Sequence, residues 1–376
     1  YFRPQNNVVL EAGSRYKYTV KVNATGLTLE GCTIGSWVDG GGESGEAEDL
    51  GYIYDSNTNT YTVYNADGLM NVAELVNGGK TDINITLDKN IDLTGKGWTP
   101  IGTDYDNSYT GTFDGGGKYT ITGLTVTGSN DYVGLFGRIG SGGAVKNVIL
   151  TEVNVTAGTS VGGIAGQNDG TVENCSVNGT VTGRGFTDTG GIVGTNYGTI
   201  SGCSAEGTVT GSVNVGGIAG GSYLGVTIVG CYSSAAVEGY STVGGVVGNL
   251  GNNSSLMASY STGNVTVTST TGNAGGVVGV NAQGTVTACY HATGTVSGQG
   301  NVGGIVGMNN NSGQTTACYW SSNPANGIGR MDSGTNGNNF VRVNSLGRSF
   351  AKELFNFLLY SRDTGRTTYQ NYLADV

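Results

Sequence analysis

The sequence predicts an all-β chain wound as a right-handed parallel β-helix of about 28-residue coils, with short helical caps and a few strands of a β-sandwich-like domain ahead of it. Two observations predict this. A glycine-pair motif recurs, and each unit reads as three short strands separated by Gly and Asn turns, with no helical period. The motif runs Val161-Gly162-Gly163-Ile164-Ala165-Gly166, then Gly190-Gly191-Ile192, Val215-Gly216-Gly217-Ile218, Val243-Gly244-Gly245-Val246, Ala274-Gly275-Gly276-Val277 and Val302-Gly303-Gly304-Ile305. A founder copy, Val133-Gly134-Leu135-Phe136-Gly137, precedes them. From Gly134 to Gly303 the first glycines are spaced 28, 28, 26, 28, 31 and 28 residues apart.

Two ladders fix the register within the coils. Asn168, Asn196, Asn281 and Asn309 each lie six residues after the first glycine, where stacked amides can satisfy the backbone of a buried bend. Cys175, Cys203, Cys231, Cys289 and Cys318 form the second, with Ser259 in the missing place. With no Cys-x-x-Cys spacing and no nearby His, this file reads as an inward column of small hydrophobes rather than disulfides or a metal site. The next residue along, Ser176, Ser204, Tyr232, Tyr260, Tyr290 and Tyr319, then points outward, because side chains alternate along a strand. Tyr232, Tyr260, Tyr290 and Tyr319 are therefore the candidate ligand-binding residues, an aromatic strip suited to sugars. The competing readings are rings that stack on one another or lie under the C-terminal segment.

The ends read differently. Residues 1–37 hold alternating strands at Tyr16–Val22 and Leu27–Leu29, and 38–59 is an acidic, Gly-rich linker. The β-helix is assigned to 60–320, capped by an amphipathic helix over 67–79, with irregular first coils from Ile83 to Thr127. Residues 321–376 form a C-terminal cap segment with a helix at 349–360. The N-terminus, Tyr1-Phe2-Arg3-Pro4, lacks a basic or apolar leader and reads as a processed or truncated end.

Composition narrows the function. There are 71 Gly but only 3 Pro, which excludes collagen. The net charge of −10 without a basic stripe argues against nucleic-acid binding. No apolar run is long enough to span a membrane. Between Gly239 and Gly329 there is no Asp, Glu, Lys or Arg, only His291, which reads as a surface residue.

An enzyme of β-helix type needs paired carboxylates on consecutive coils. The available acids are Asp169, Glu173, Asp188, Glu206 and Glu238, of which only Glu206 and Glu238 fall at comparable places, and a solvated surface is their expected role. Asp104, Asp106 and Asp114 could hold Ca²⁺ but read as turn-makers, so no metal or cofactor and no catalytic residue is expected.

The Gly-Gly-Ile-Ala-Gly units, with Tyr132–Gly137 and Gly111-Thr112-Phe113-Asp114-Gly115 before them, resemble the GLUG-motif repeats of bacterial surface proteins, which accompany adhesins and immunoglobulin A peptidases. The resemblance covers about residues 60–320. Leu10-Glu11-Ala12-Gly13 to Trp37 resembles the C-terminal strands of fimbrillin-like proteins of the Bacteroidetes. The resemblance implies an extracellular, surface- or fimbria-associated protein, commonly lipid-anchored upstream, whose partners are host or cell-surface glycans and proteins or other fimbrial subunits. The chain has no His-Glu-x-x-His, so peptidase activity is not carried over. The last 46 residues match no pattern of these families. The expected function is a non-enzymatic adhesin or stalk, with a carbohydrate-active enzyme and a structural spacer as alternatives.

Overall fold

A computed structural model describes residues 49–331, apart from 252, 311, 312, 322 and 325, together with the backbone of strands Tyr16–Asn23, Gly26–Ile34, Gly45–Glu46 and Phe340–Arg342. The body is a parallel β-helix of about nine turns, in agreement with the sequence. Among the described residues each regular coil contributes to four parallel sheets. The coil from Asp188 shows the order: Asp188–Gly190 in a corner sheet, Val193–Asn196 in a glycine sheet, Thr199–Ser201 in a threonine sheet and Ser204–Gly211 in a tyrosine sheet. Sequence reading found three strands per unit. The fourth, a short strand at the corner, is split off by the glycine pair itself.

The glycine pair has a two-part physical reason. A Cβ on the first glycine would meet backbone: at Gly275 it would lie 1.9 Å from the Val278 carbonyl oxygen and 2.7 Å from Gly307 N. A Cβ on the second would meet the carbonyl oxygen of the next coil, 2.1 Å away at Gly245, and also the side chain across the core. The partners of Gly163, Gly191, Gly217, Gly245, Gly276 and Gly304 are Val177, Ala205, Ser233, Ser261, His291 and Trp320. The pair thus turns the chain sharply and leaves room for the opposite sheet.

Inside, the columns run as expected. Val145, Val172, Ile200, Ile228, Leu256 and Val286 form one fully buried file, and Ile164, Ile192, Ile218, Val246, Val277 and Ile305 another. The five ladder cysteines are buried free thiols. Cys175 N donates to Cys203 Sγ at 3.4 Å, Cys203 N to Cys231 Sγ at 3.4 Å, and Cys231 N to Ser259 Oγ at 3.1 Å. Burial pushes the Cys175, Cys203 and Cys289 thiols up, which keeps them protonated and unreactive. In the asparagine ladder, Asn168 Nδ2 donates to Asn196 Oδ1 at 2.8 Å, and Asn196 Nδ2 to Ser222 Oγ at 3.1 Å. Leu250 interrupts it before Asn281.

Helix α1, Ala66–Asn77, lies at the N-terminal end as expected. The Asn65 side chain caps it by accepting from Gly68 N, and Leu69, Val72, Ala73 and Val76 face the core. The first coils are filled by large rings, with Phe113 and Phe136 edge to face at 5.4 Å. The threonine sheet already starts at Tyr52–Asp55, an edge strand that pairs antiparallel with Thr60–Val63 inside the segment read as a linker, and parallel pairing begins with Thr60–Val63. At the other end Ile328–Met331 and Phe340–Arg342 continue two sheets past residue 320. The helix expected at 349–360 lies outside the described residues. Tyr16–Asn23 and Gly26–Ile34 form an antiparallel hairpin joined by Gly45–Glu46. No described helix is long and apolar enough to cross a membrane.

Candidate functional site

The tyrosine file follows from strand alternation: in the strands that carry them, Tyr232, Tyr260, Tyr290 and Tyr319 pair in one register. Parallel strands one coil apart then hold the rings at the coil repeat. Tyr232 and Tyr260 stack at 5.2 Å and 9°, and Tyr260 and Tyr290 at 4.6 Å and 4°. The inner rings therefore cover one another's faces. What reaches solvent is a row of ring edges and hydroxyls, plus the outer face of Tyr232, which borders Ser204 and is 42% exposed. Burial raises the Tyr260 and Tyr290 phenols, with the neighbouring tyrosine adding to it, so these hydroxyls stay neutral.

His291 is not on the surface. It is fully buried, with Nδ1 2.8 Å from Ser261 Oγ and Nε2 3.0 Å from the Gly294 carbonyl oxygen. Burial pushes its pKa down to about 4, so the ring is neutral and donates from Nε2 to the Gly294 carbonyl oxygen, while Ser261 Oγ, beside Nδ1, also bonds the Gly276 carbonyl oxygen. Serine and histidine at this distance resemble a nucleophile and base, but both are sealed in the core, Ser261 included, and substrate has no access to them. The ring fits because Gly276 opposite it has no side chain.

The acids part company as well. Glu173, Glu206 and Glu238 are exposed, as expected. Glu206 and Glu238 do not share a place: Glu206 aligns with Asn178, and Glu238 with Thr210. Asp104 closes its own loop, bonding Asn107 N at 2.9 Å, and Asp106 is exposed beside it. Asp114 bonds Gly116 N at 2.9 Å and Asn147 Nδ2 at 3.0 Å, with Lys146 Nζ 3.4 Å away. Among the described residues, no three His, Cys, Asp or Glu gather as a metal site.

Asp188 contradicts the solvated-surface reading: it is 6% exposed. It sits in the concave angle between the corner and glycine sheets, where outward side chains converge. Its carboxylate accepts from Thr195 Oγ1 at 2.9 Å, Asn214 Nδ2 at 2.8 Å and Tyr223 OH at 3.2 Å. Ser160 Oγ lies 2.9 Å from Thr195 Oγ1. Desolvation raises the Asp188 pKa, opposed by these three bonds. Tyr197 and Tyr223 meet at 5.8 Å with a 38° tilt. The sequence carried a signal for this site that alternation alone does not rank. Two residues before each first glycine stand Ser160, Asp188, Asn214, Thr242, Asn273 and Asn301, all polar, with one acid among them.

The model of the GLUG motif matches residues 157–182 and 187–210. These two units are similar to GLUG motifs. They supply Ser160, Gln167, Asp188, Thr195 and Tyr197 of the Asp188 angle, and Asn214 and Tyr223 come from the coil after them. A second model, NAD-specific glutamate dehydrogenase, matches residues 326–376, a segment for which the sequence reading had no family and which contains no Gly-x-Gly-x-x-Gly. Halomucin of Haloquadratum walsbyi is 35% identical over 144 residues, 35% of this chain and 2% of that protein. A protein of Evansella cellulosilytica, described as a candidate Gly-rich membrane protein, is 38% identical over 129 residues, 32% of this chain and 14% of that protein. The chain thus matches only a small part of each curated relative. Among solved structures, one described as a candidate immunoglobulin A1 protease from Bacteroides ovatus superposes with a TM-score of 0.55 at 20% identity, covering 73% of this chain and 84% of that one. That likeness is one of fold.

Proposed function

We propose that this chain is a non-enzymatic surface module, a stiff stalk with adhesive faces for glycans or proteins outside the cell. The observation that carries the reading is the charge-free run of coils from Gly239 to Gly329, held in register by backbone ladders and buried side-chain columns and carrying most of the tyrosine file on its surface. Such a rod stays straight without ion pairs or disulfides, and its outer surface is built of Ser, Thr, Asn and Tyr, which suit hydroxyl-rich partners. The names of the relatives, a halomucin and a membrane protein, support an extracellular or surface location. Attachment to the outer membrane and contact with fimbrial subunits belong to the same proposal and rest on the resemblance of residues 1–37.

Recognition by the tyrosine file would use hydroxyls and ring edges along Tyr260, Tyr290 and Tyr319 and the open face of Tyr232. The test is a glycan and mucin binding screen on the chain beside a Tyr232→Ala variant and a Tyr260→Ala/Tyr290→Ala double variant. Binding lost in folded variants supports the strip as the adhesive face. Turnover of any polysaccharide in the same screen defeats the non-enzymatic reading, and no binding at all leaves a spacer.

A further inference from the structure

The concave angle at Asp188 is a cleft of about 380 Å³, within the size range of small-ligand sites. Tyr132, Tyr197, Tyr223 and Phe186 line it, with Ser160, Gln167, Thr195 and Asn214 between them. Phe186 is 82% exposed, a large apolar ring at the rim. Its loop is an insertion. Residues 184–188 separate Gly183 from Thr189, five positions, whereas three, 158–160 and 212–214, separate the register partners before and after. The extra two residues place an aromatic ring beside the cleft, where it gains no burial.

The polar groups are fixed in advance. Asp188 receives three hydrogen bonds and thereby orients Thr195, Asn214 and Tyr223. Tyr223 lies across Gly221, where a Cβ would come 2.3 Å from its hydroxyl, so the glycine makes room for the ring. Next along this file, Asn249 pairs with Gly221, and its side chain hydrogen-bonds Tyr223, which helps hold that ring in place.

The chemistry selects among ligands. A cation would find the carboxylate already holding three donors, and the Arg138 guanidinium already 3.8 Å above the Tyr132 ring. An anion would meet the carboxylate of Asp188 and, just beyond the lining, that of Asp169, which accepts from Gln167 Nε2 at 2.7 Å. Flat rings with amide and hydroxyl groups suit a neutral ring that carries C–H on its faces and hydroxyls on its edge. We infer that the cleft around Asp188 binds a neutral pyranose unit of a glycan, with Phe186 as stacking platform and Gln167, Thr195 and Asn214 as hydroxyl contacts.

This site is separate from the tyrosine file, and its test is independent of that reading. Ligand-observed NMR and calorimetry are run with lactose, N-acetyllactosamine, maltotriose and mannotriose, beside 3′-sialyllactose and trilysine. At least one neutral sugar binds, and Phe186→Ala weakens it tenfold or more while circular dichroism and melting stay unchanged, since this ring packs against little. Thr195→Val, nearly the same shape, weakens it several-fold, and the Tyr260→Ala/Tyr290→Ala variant leaves it intact. The inference is overturned if none of the four neutral sugars binds at about 10 mM, a concentration that fills about nine-tenths of a site with a Kd of about 1 mM. It is equally overturned if their binding survives both cleft substitutions, or if trilysine or sialyllactose binds more tightly.

Discussion

The tyrosine sheet and the concave angle at Asp188 repeat the same residue at the coil period and produce opposite surfaces. On the flat sheet, Tyr232, Tyr260 and Tyr290 lie one strand apart, and their rings close on each other at 4° to 9°. In the angle, Tyr197 and Tyr223 start from turns after the glycine sheet, tilt by 38°, and line a cavity together with Asp188, which the Tyr223 hydroxyl reaches at 3.2 Å. A file on a flat parallel sheet consumes its ring faces, whereas a file at a re-entrant corner keeps a cavity. Surface recognition on a solenoid is thus set by curvature as much as by composition.

The corner exists because of the first glycine of each pair, and the largest expected effect is its loss. Gly275→Ala drives a Cβ against the Val278 carbonyl oxygen and Gly307 N, both backbone that cannot swing away. The variant is expected to lose about 3 kcal/mol or more or to fail to fold. Gly97→Ala, where a Cβ meets nothing within 4 Å, is the control and should fall within about 0.5 kcal/mol of the parent in urea unfolding. Equal stability of the two variants breaks the account of the corner.

The two buried titrating groups, one behind the flat sheet and one in the angle, respond to pH with opposite sign. His291 has a folded pKa pushed down to about 4 from 6.5, so on acidification the unfolded chain takes up the proton first. Its contribution is complete above pH 6.5 and is lost as pH falls towards 4, at about 1.4 kcal/mol per unit. No formal charge lies in the surrounding coils to confound it. Asp188 is shifted upward by burial, so its contribution is complete below about 3.8, its ordinary value, and is lost as pH rises through the folded value. Equilibrium unfolding across pH 3.5–7.5, as about eight steps of half a unit, should show the acid-side slope vanish in His291→Asn. The decline with rising pH should vanish in Asp188→Asn. A parent-like profile in either variant removes that group from the account.

These two residues also mark what the sequence made legible. The coil period, the inward cysteines and the outward tyrosines could be read because all three depend only on alternation in a constant register. Alternation says which side of a strand a residue occupies, not whether that side is convex or re-entrant, so Asp188 read as solvated. His291 read as exposed because a lone histidine in a polar strand looks hydrophilic. The overlooked signal is that it stands two residues after Cys289, on the inward parity, in the column of Ser233 and Ser261. Trp320, opposite Gly304, occupies the same column. The strands that pair outside residues 60–320 were not legible for another reason: they join the sheets by backbone and carry no glycine motif.

A smaller effect sharpens the comparison of the two tyrosine files. Tyr260 has a stacked ring on either side, so Tyr260→Ala should cost about 1–3 kcal/mol, two aromatic pairs at about 0.5–1.5 each. Tyr197 has one tilted partner, and Tyr197→Ala should cost about half as much in the same denaturation assay. Tyr260→Phe, which keeps the ring, should be near neutral. A larger loss at Tyr197 than at Tyr260 reverses the assignment of the stack as the structural file and the angle as the open one.

The smallest effect concerns the bend that leads into the flat sheet. The residue before each ladder position is left-handed: Asn147, Asn174, Gly202, Gly230, Ala258, Ala288 and Ala317 have φ between 48° and 65°. Glycine and asparagine accept this conformation, whereas alanine carries about 1 kcal/mol of strain there. Ala317 is only half-buried, so removing its methyl group sacrifices little packing. Glycine also loosens the unfolded chain, which offsets part of the relief. Ala317→Gly should therefore stabilise the rod by about 0.5 kcal/mol, a rise of about 1 °C in calorimetry. Asn174→Gly should change nothing measurable, because asparagine already tolerates the bend. A fall in Tm for Ala317→Gly means that this last bend is held by packing of the methyl group rather than strained by it.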